Sequence, residues 1–148
     1  ESLGETAGEI ELRRRNIDEA DRAQRRQHAV KASAAVLEGL NGLSVDLART
    51  LEEDVPDDVW RRYLGGEKGV FTRRLLGQRN RDGQETIAAK YREDGEFRTY
   101  VDRYMRQFDE LMRLSSEVDD EDVLSAALKS SDIGKLHRLL AGALGRDR

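Results

Sequence analysis

Apolar residues recur at helical spacing along most of the chain, and they are most regular between residues 30 and 51. In that region, side chains at steps of four, three, four and four residues form one stripe: Val36, Leu40, Leu43, Leu47 and Leu51. Before the stripe, apolar residues recur every seven positions, at Leu3, Ile10 and Ile17, with arginines at the intervening position of the repeat. The pattern predicts one long helix over residues 3–51 that is coiled-coil-like in its first half.

A row of small residues lies beside the stripe: Ala32, Ala35, Gly39 and Gly42. Small side chains let a second helix approach closely, although each glycine costs a helix about 1 kcal/mol relative to alanine. One interpretation is a continuous helix that is packed on two sides. The other is that Asn41-Gly42 ends one helix and begins another. The stripe keeps its phase across this point, which favours continuity.

Beyond residue 54 the pattern predicts a series of short helices. Pro56 suits the first turn of a helix that Gly65-Gly66 ends, with its apolar residues facing inward: Val59, Trp60, Tyr63 and Leu64. Further helices are predicted near residues 70–78 and 84–93, with the sequence Asn80-Arg81-Asp82-Gly83 as a turn between them.

The clearest helix covers about residues 96–116, where apolar side chains step by four and three residues. Residues 119–122 are predicted to open the next helix, and Ser131 to cap the last one. We therefore expect an all-α fold in which a long N-terminal helix leads into a compact multi-helix bundle. Residues 1–54 would form the long helix, an extension and dimerisation segment. Residues 55–148 would form the bundle, packed with the C-terminal half of that helix.

Composition supports this fold class. Alanine, glutamate, lysine, leucine and arginine make up almost half of the 148 residues, and the chain holds a single proline and no cysteine. Disulfides and thiolate metal sites are therefore excluded. No apolar run approaches the roughly 20 residues that span a bilayer. Because the sequence begins at Glu1, we expect an excised domain, with a targeting or membrane segment before it as an open alternative.

Enzymatic chemistry finds little support in the sequence. His28 and His137 are isolated, without the spacing of a zinc or di-iron site. Residues 65–69 are glycine-rich but lack the spacing of a phosphate-binding loop, and the acidic residues 117–122 lack the ligand pattern of a calcium loop. We expect a non-enzymatic protein with no cofactor, no metal and no catalytic residues.

Charge is unevenly distributed, although the net charge is only −4. Residues 57–81 carry seven basic and three acidic side chains, whereas residues 38–58 carry seven acidic and one basic. The basic stretch, which we call the basic block, could bind nucleic acid or another polyanion through six arginines: Arg61, Arg62, Arg73, Arg74, Arg79 and Arg81. The alternative, favoured by the acidic overall balance, is that the block lies over acidic segments of its own chain or of a second copy.

Three sequence segments resemble the C-terminal helical region of long, predicted coiled-coil proteins of alphaproteobacteria. They are residues 57–74 (DDVWRRYLGGEKGVFTRR), 91–98 (YREDGEFR) and 131–136 (SDIGKL). The resemblance covers about residues 30–145. It implies a bacterial source and a further N-terminal portion that is either coiled coil or membrane-anchored. It supplies no catalytic residues, because these proteins carry no established activity.

The leading expectation is a protein-interaction or scaffold domain of a larger bacterial protein, which self-associates through the long helix as a homodimer or other homo-oligomer. The residues predicted to carry self-association are Ala32, Ala35, Val36, Gly39, Leu40, Leu43 and Leu47. The alternative is a helical module that binds nucleic acid or another polyanion through the basic block. A further protein partner is expected but not identified. The expected location is cytoplasmic, with tethering to a membrane by the further N-terminal portion as the open alternative.

Overall fold

The computed structural model describes residues 6–146, and over these residues every regular element is helical. The all-α fold class predicted from the sequence is therefore confirmed. In chain order the elements are α1 (Ala7–Leu51), α2 (Asp57–Leu64), α3 (Val70–Leu75), a 3₁₀ turn (Leu76–Arg79), α4 (Arg81–Glu93), α5 (Gly95–Val118), α6 (Val123–Ser130) and α7 (Asp132–Ala143). The predicted helical position of Leu3 lies outside the described residues.

Helix α1 is continuous over its 45 residues and passes through Gly39 and Gly42 without a break. The prediction of continuity is confirmed. The helix begins where the Thr6 hydroxyl accepts a hydrogen bond from the Glu9 backbone N–H at 3.1 Å. It ends at Leu51, and the backbone of the next residue, Glu52, is extended.

Polar side chains cap the later helices. Asp94 accepts hydrogen bonds from the backbone N–H groups of Glu96 and Phe97, and the Phe97 bond is the main reason that its pKa is lowered. Ser131 caps α7 as predicted, because its hydroxyl accepts from the Gly134 N–H at 3.3 Å. Each cap fixes where a helix begins, so the bundle consists of short helices joined by tight connections.

The predicted turn at residues 80–83 is wrong, because Asn80 is the cap of α4 and the helix begins at Arg81. The Asn80 side-chain oxygen accepts from the Gly83 backbone N–H at 2.7 Å. Gly83 lies so close to the preceding turn that an added Cβ would sit 2.3 Å from the Gln78 carbonyl oxygen. A close approach of backbone to backbone, and not a reverse turn, therefore accounts for this glycine.

The interior of α2 and α3 differs from the prediction at one residue. Phe71 is fully buried and meets Trp60 and Tyr63 edge-to-face, with ring centroids 4.8 and 5.4 Å away. Leu64, however, is 77% exposed, so its predicted inward orientation is wrong. Helix α2 ends at Leu64 and the chain turns away through Gly65, which leaves this side chain on the rim.

The core of the bundle is arranged around α5. One face of this helix is fully buried and contacts α1, α4, α6 and α7; it carries Phe97, Val101, Tyr104, Phe108 and Leu111. Burial raises the pKa of the Tyr104 hydroxyl, which donates to the Ile133 carbonyl oxygen at 3.2 Å.

Helix α5 packs antiparallel along the C-terminal half of α1, and this is the most extensive helix pair of the fold. Arg49 near the end of α1 interacts with Tyr100 near the start of α5. At the other end, Arg25 lies beside Glu117. Because α5 is about half as long as α1, the part of α1 that precedes the residues beside Glu117 continues past the bundle.

Candidate functional site

The part of α1 that continues past the bundle is exposed along its whole length. Residues 7–28, here called the projecting segment, are all exposed, and Ala29 is the first buried residue of the helix. The last residues of the segment still lie beside the end of α5, where Arg25 lines a pocket with Glu117. At about 1.5 Å per residue this segment is about 33 Å long. It presents three large aliphatic side chains to solvent: Ile10 at 41%, Leu12 at 55% and Ile17 at 56% exposure.

Ile10 and Ile17 share one face of the projecting segment. Seven residues at about 100° each bring two side chains to within about 20° of the same direction. By the same arithmetic, Ile17 points about 120° away from Ala29 and about 140° away from Leu40, both of which are buried against the bundle. The face formed by Ile10 and Ile17, here called the isoleucine face, therefore points away from the bundle.

Charges in the projecting segment occur in four blocks of alternating sign. The blocks in chain order are acidic Glu9 and Glu11, basic Arg13, Arg14 and Arg15, acidic Asp18, Glu19 and Asp21, and basic Arg22, Arg25 and Arg26. All eleven side chains belong to exposed residues. Apart from the isoleucine face and Leu12 on another side, the surface of this segment is mainly polar. A helix of this kind is marginal in water by itself.

The residues that the sequence predicted for self-association fall into two groups. Leu40, Leu43 and Leu47 belong to the chain's own core, so these three side chains are not available to a second copy in this fold. Val36 is half-buried against the same core.

The small-residue row remains largely at the surface. Ala32 is half-buried, and Ala35 and Gly39 are exposed. Apart from the adjacent residues and the backbone of the same helix turn, no atom of residues 6–146 lies within 4 Å of a Cβ placed at Gly39 or at Gly42. The close packing that the sequence predicted at these glycines is therefore not present among the described residues.

The arginines of the basic block are mostly paired with carboxylates of the same chain. The Glu67 carboxylate accepts hydrogen bonds from both Arg62 and Arg73, with N–O distances of 2.8 and 3.0 Å. The bond from Arg62 is the main reason that the pKa of Glu67 is lowered. Arg74 forms a bidentate ion pair with Glu52, with both N–O distances at 2.8 Å.

The other three arginines of the block are exposed. Arg81 lies 3.4 Å from the Glu85 carboxylate. No ion pair is formed by Arg61 or Arg79 among residues 6–146. Among residues 6–146 the block therefore divides into four arginines within 3.4 Å of a carboxylate of the same chain and two, Arg61 and Arg79, that form no ion pair.

His137 lines a shallow cleft between α5 and α7. Its imidazole stacks on the Phe108 ring with centroids 4.1 Å apart, and burial lowers its pKa. The rim of the cleft is basic, with Lys129, Arg138 and Arg146. His28 is exposed and lies near Glu117, nine residues along α5 from Phe108. The two histidines are therefore not brought together.

Sequence reasoning missed two features of these surfaces. The Glu52 partner of Arg74 is 22 residues away along the chain, and no local pattern connects the two. The alternating order of charge in the projecting segment was visible in the sequence, but its significance depends on most of that segment lying beyond the end of α5. The seven-residue spacing of Ile10 and Ile17 was the available signal for the exposed face.

Comparison with family models, curated proteins and solved structures finds no match to this chain. Within residues 6–146, no helix is both long enough and apolar enough to cross a membrane. The same residues contain no group of three or more histidines, aspartates or glutamates placed to hold a metal ion.

Proposed function

We propose that this chain is a non-enzymatic scaffold domain, in which the bundle anchors the projecting segment of α1 and that segment pairs with a second copy of the chain. The observation that carries the proposal is the exposed isoleucine face, which points away from the bundle at the end of a rigidly anchored helix. Aliphatic side chains exposed along a solitary polar helix cost free energy that pairing recovers.

The occupant that fits this face best is a second copy. The four charge blocks give each segment nearly equal numbers of basic and acidic side chains, six and five, so two identical segments can match opposite charges along their length. A uniformly charged partner, such as nucleic acid, would meet the acidic blocks as well as the basic ones and would gain little.

Substitution of Ile17 by lysine tests the proposal. Lysine is at least as good a helix former as isoleucine, so Ile17→Lys removes the apolar contact without weakening the helix. Across a micromolar dilution series, light scattering of the native chain should give twice the 16.8 kDa of one chain at the upper end. The Ile17→Lys variant should give a single-chain mass throughout.

Val123 provides a matched control on the bundle. It is 63% exposed, against 56% for Ile17, and it lies at the start of α6. Val123→Lys should leave the mass of the complex unchanged. A native chain that is monomeric at every concentration overturns the proposal, as does equal loss of mass in both variants.

A further inference from the structure

The order of the charge blocks determines how two projecting segments can be aligned. In chain order the blocks are acidic at residues 9–11, basic at 13–15, acidic at 18–21 and basic at 22–26. If two copies run parallel and in register, each block meets itself, and three arginines of one copy meet the same three of the other. If they run antiparallel, the first block meets the fourth and the second meets the third, so that every encounter joins opposite charges.

The centre of the antiparallel alignment lies near Ile17, midway between the second and third blocks. At this position the two Ile17 side chains lie close to each other across a two-fold axis. Ile10 of each copy then lies opposite Gln24 of the other, because both residues are seven positions from the centre. The most exposed β-branched side chain on α1 is thereby buried where the two helices are closest.

Arg14 and Asp21 occupy the same flank of the isoleucine face. At about 100° per residue, they lie about 60° and 40° to one side of Ile17. Within one chain they are two turns apart, about 10 Å along the axis, which is too far for an ion pair. In the antiparallel alignment Arg14 of one copy comes within one residue, about 1.5 Å along the axis, of the level of Asp21 of the other on that flank, and the symmetry forms the contact twice.

We infer that the projecting segments of two copies pair antiparallel about a two-fold axis near Ile17, with Arg14 of each copy opposite Asp21 of the other. This inference rests on the proposed self-association and adds its direction and register. It also fixes the arrangement of the scaffold, because antiparallel helices carry their bundles to opposite ends. The two Leu40 residues would be about 70 Å apart along the axis, whereas a parallel pair would hold them side by side.

Engineered cysteines distinguish the two directions, because the chain has no cysteine of its own. Ile17→Cys should form a disulfide with its own copy in either direction and reports pairing alone. Gln24→Cys by itself should not cross-link, because its two copies lie about 21 Å apart along the antiparallel axis, beyond the reach of a disulfide. A mixture of Ile10→Cys and Gln24→Cys chains should cross-link to each other.

The outcomes separate the inference from the proposed function. If Ile17→Cys fails to cross-link and the native protein has the mass of a single chain, the proposed function is overturned. A native dimer in which Gln24→Cys cross-links to itself leaves self-association intact and overturns only the antiparallel direction. A small-angle scattering profile with two bundles at the ends of a rod supports the inference, and a profile with adjacent bundles contradicts it.

A charge exchange tests the register. Arg14→Asp and Asp21→Arg should each weaken the dimer about tenfold, since each replaces two attractive contacts with two repulsive ones. The double variant Arg14→Asp/Asp21→Arg should recover most of the native affinity. Circular dichroism of each variant controls for loss of helix. If the loss of dimer affinity in the double variant equals the sum of the losses in the two single variants, Arg14 and Asp21 do not contact each other and the register is wrong.

Discussion

The hydroxyl oxygens of Ser44 and Thr72 lie 2.8 Å apart in the interior and join α1 to α3. Both side chains are buried, and Ser44 also donates to the Leu40 carbonyl oxygen at 3.1 Å. Since one hydroxyl has one proton, Thr72 is the donor of the bond between the two side chains when Ser44 bonds to Leu40.

This geometry predicts that removing the Ser44 hydroxyl and removing the Thr72 hydroxyl lower stability by different amounts. Ser44→Ala leaves the Thr72 hydroxyl buried without a partner and should lower the free energy of unfolding by about 1–3 kcal/mol. Thr72→Val keeps the shape of the side chain and leaves Ser44 bonded to Leu40, so it should cost less. Urea unfolding monitored by circular dichroism measures both. A larger loss for Thr72→Val would mean that the proton lies the other way.

The glycines give a second prediction, in which the same substitution has opposite effects at two helical positions. At Gly134 a Cβ would sit 2.3 Å from the Lys129 carbonyl oxygen and 2.4 Å from that of Leu128, both of which are backbone atoms. Gly134→Ala should therefore destabilise the fold by about 3 kcal/mol or more, because α6 and α7 have to separate.

Gly42 is the matched control for this substitution. A Cβ at Gly42 meets no atom within 4 Å, and the residue lies inside continuous α1. Gly42→Ala should raise the free energy of unfolding by about 1 kcal/mol. It should leave self-association unchanged, because Gly42 lies beyond the segment proposed to pair. Weaker dimerisation of Gly42→Ala would instead favour the small-residue row as the contact between copies.

The periodicity of the sequence predicted which side chains would be buried better than it predicted what would cover them. Leu40, Leu43 and Leu47 were identified as a contact face, and all three are buried. A stripe of helical period has the same appearance whether α5 or a second chain lies on it. Only the folded arrangement of α1 and α5 shows that α5 covers the leucine stripe. The candidate surface for self-association is therefore the face of Ile10 and Ile17, and not the leucines.

Turn and rim positions were mispredicted because tertiary contacts determine them. Asparagine and glycine favour turns, but Asn80 is equally suited to cap a helix, and the closeness of Gly83 to the Gln78 backbone is not apparent from local sequence. Leu64 continues the apolar pattern of α2, yet it lies where the helix ends and no neighbour covers it.

The bidentate pair of Arg74 and Glu52 predicts a stability role for one arginine of the basic block. It joins the end of α1 to α3, and about a third of each side chain is exposed. Arg74→Ala should lower the free energy of unfolding by about 1 kcal/mol, and the loss should be smaller at high salt. Arg61→Ala, at an exposed residue of α2, should change stability very little in the same urea titration. Equal effects of the two variants would contradict a specific role for the pair.

Pairing within the basic block also predicts weak binding to polyanions. Because carboxylates of the same chain already neutralise Arg62, Arg73 and Arg74, the native protein should leave a heparin column at low salt. Replacing the two unpaired arginines, Arg61 and Arg79, by alanine should change its elution little. Strong retention with a steep salt dependence, lost in the Arg61→Ala/Arg79→Ala variant, would support the alternative function of polyanion binding.

Stacking of His137 on Phe108 predicts a dependence of stability on pH. Burial lowers the pKa of His137, while the charge of Asp109 raises it and that of Arg138 lowers it to smaller extents. In the unfolded chain the imidazole takes up its proton near its ordinary pKa of about 6.5, but in the folded chain it does so only at lower pH. Between these two values the unfolded state binds more protons, so the free energy of unfolding should decrease as pH falls below about 6.5.

His137→Phe removes this titration and keeps an aromatic ring against Phe108. In urea titrations between about pH 7 and pH 5, the variant should lose less stability than the native protein, because no proton is excluded from position 137. His28→Gln, at an exposed residue of α1, should retain the native dependence. An NMR titration in which the His137 ring protonates at or above its ordinary pKa would contradict the argument, since stability would then stay constant or increase on protonation instead of decreasing.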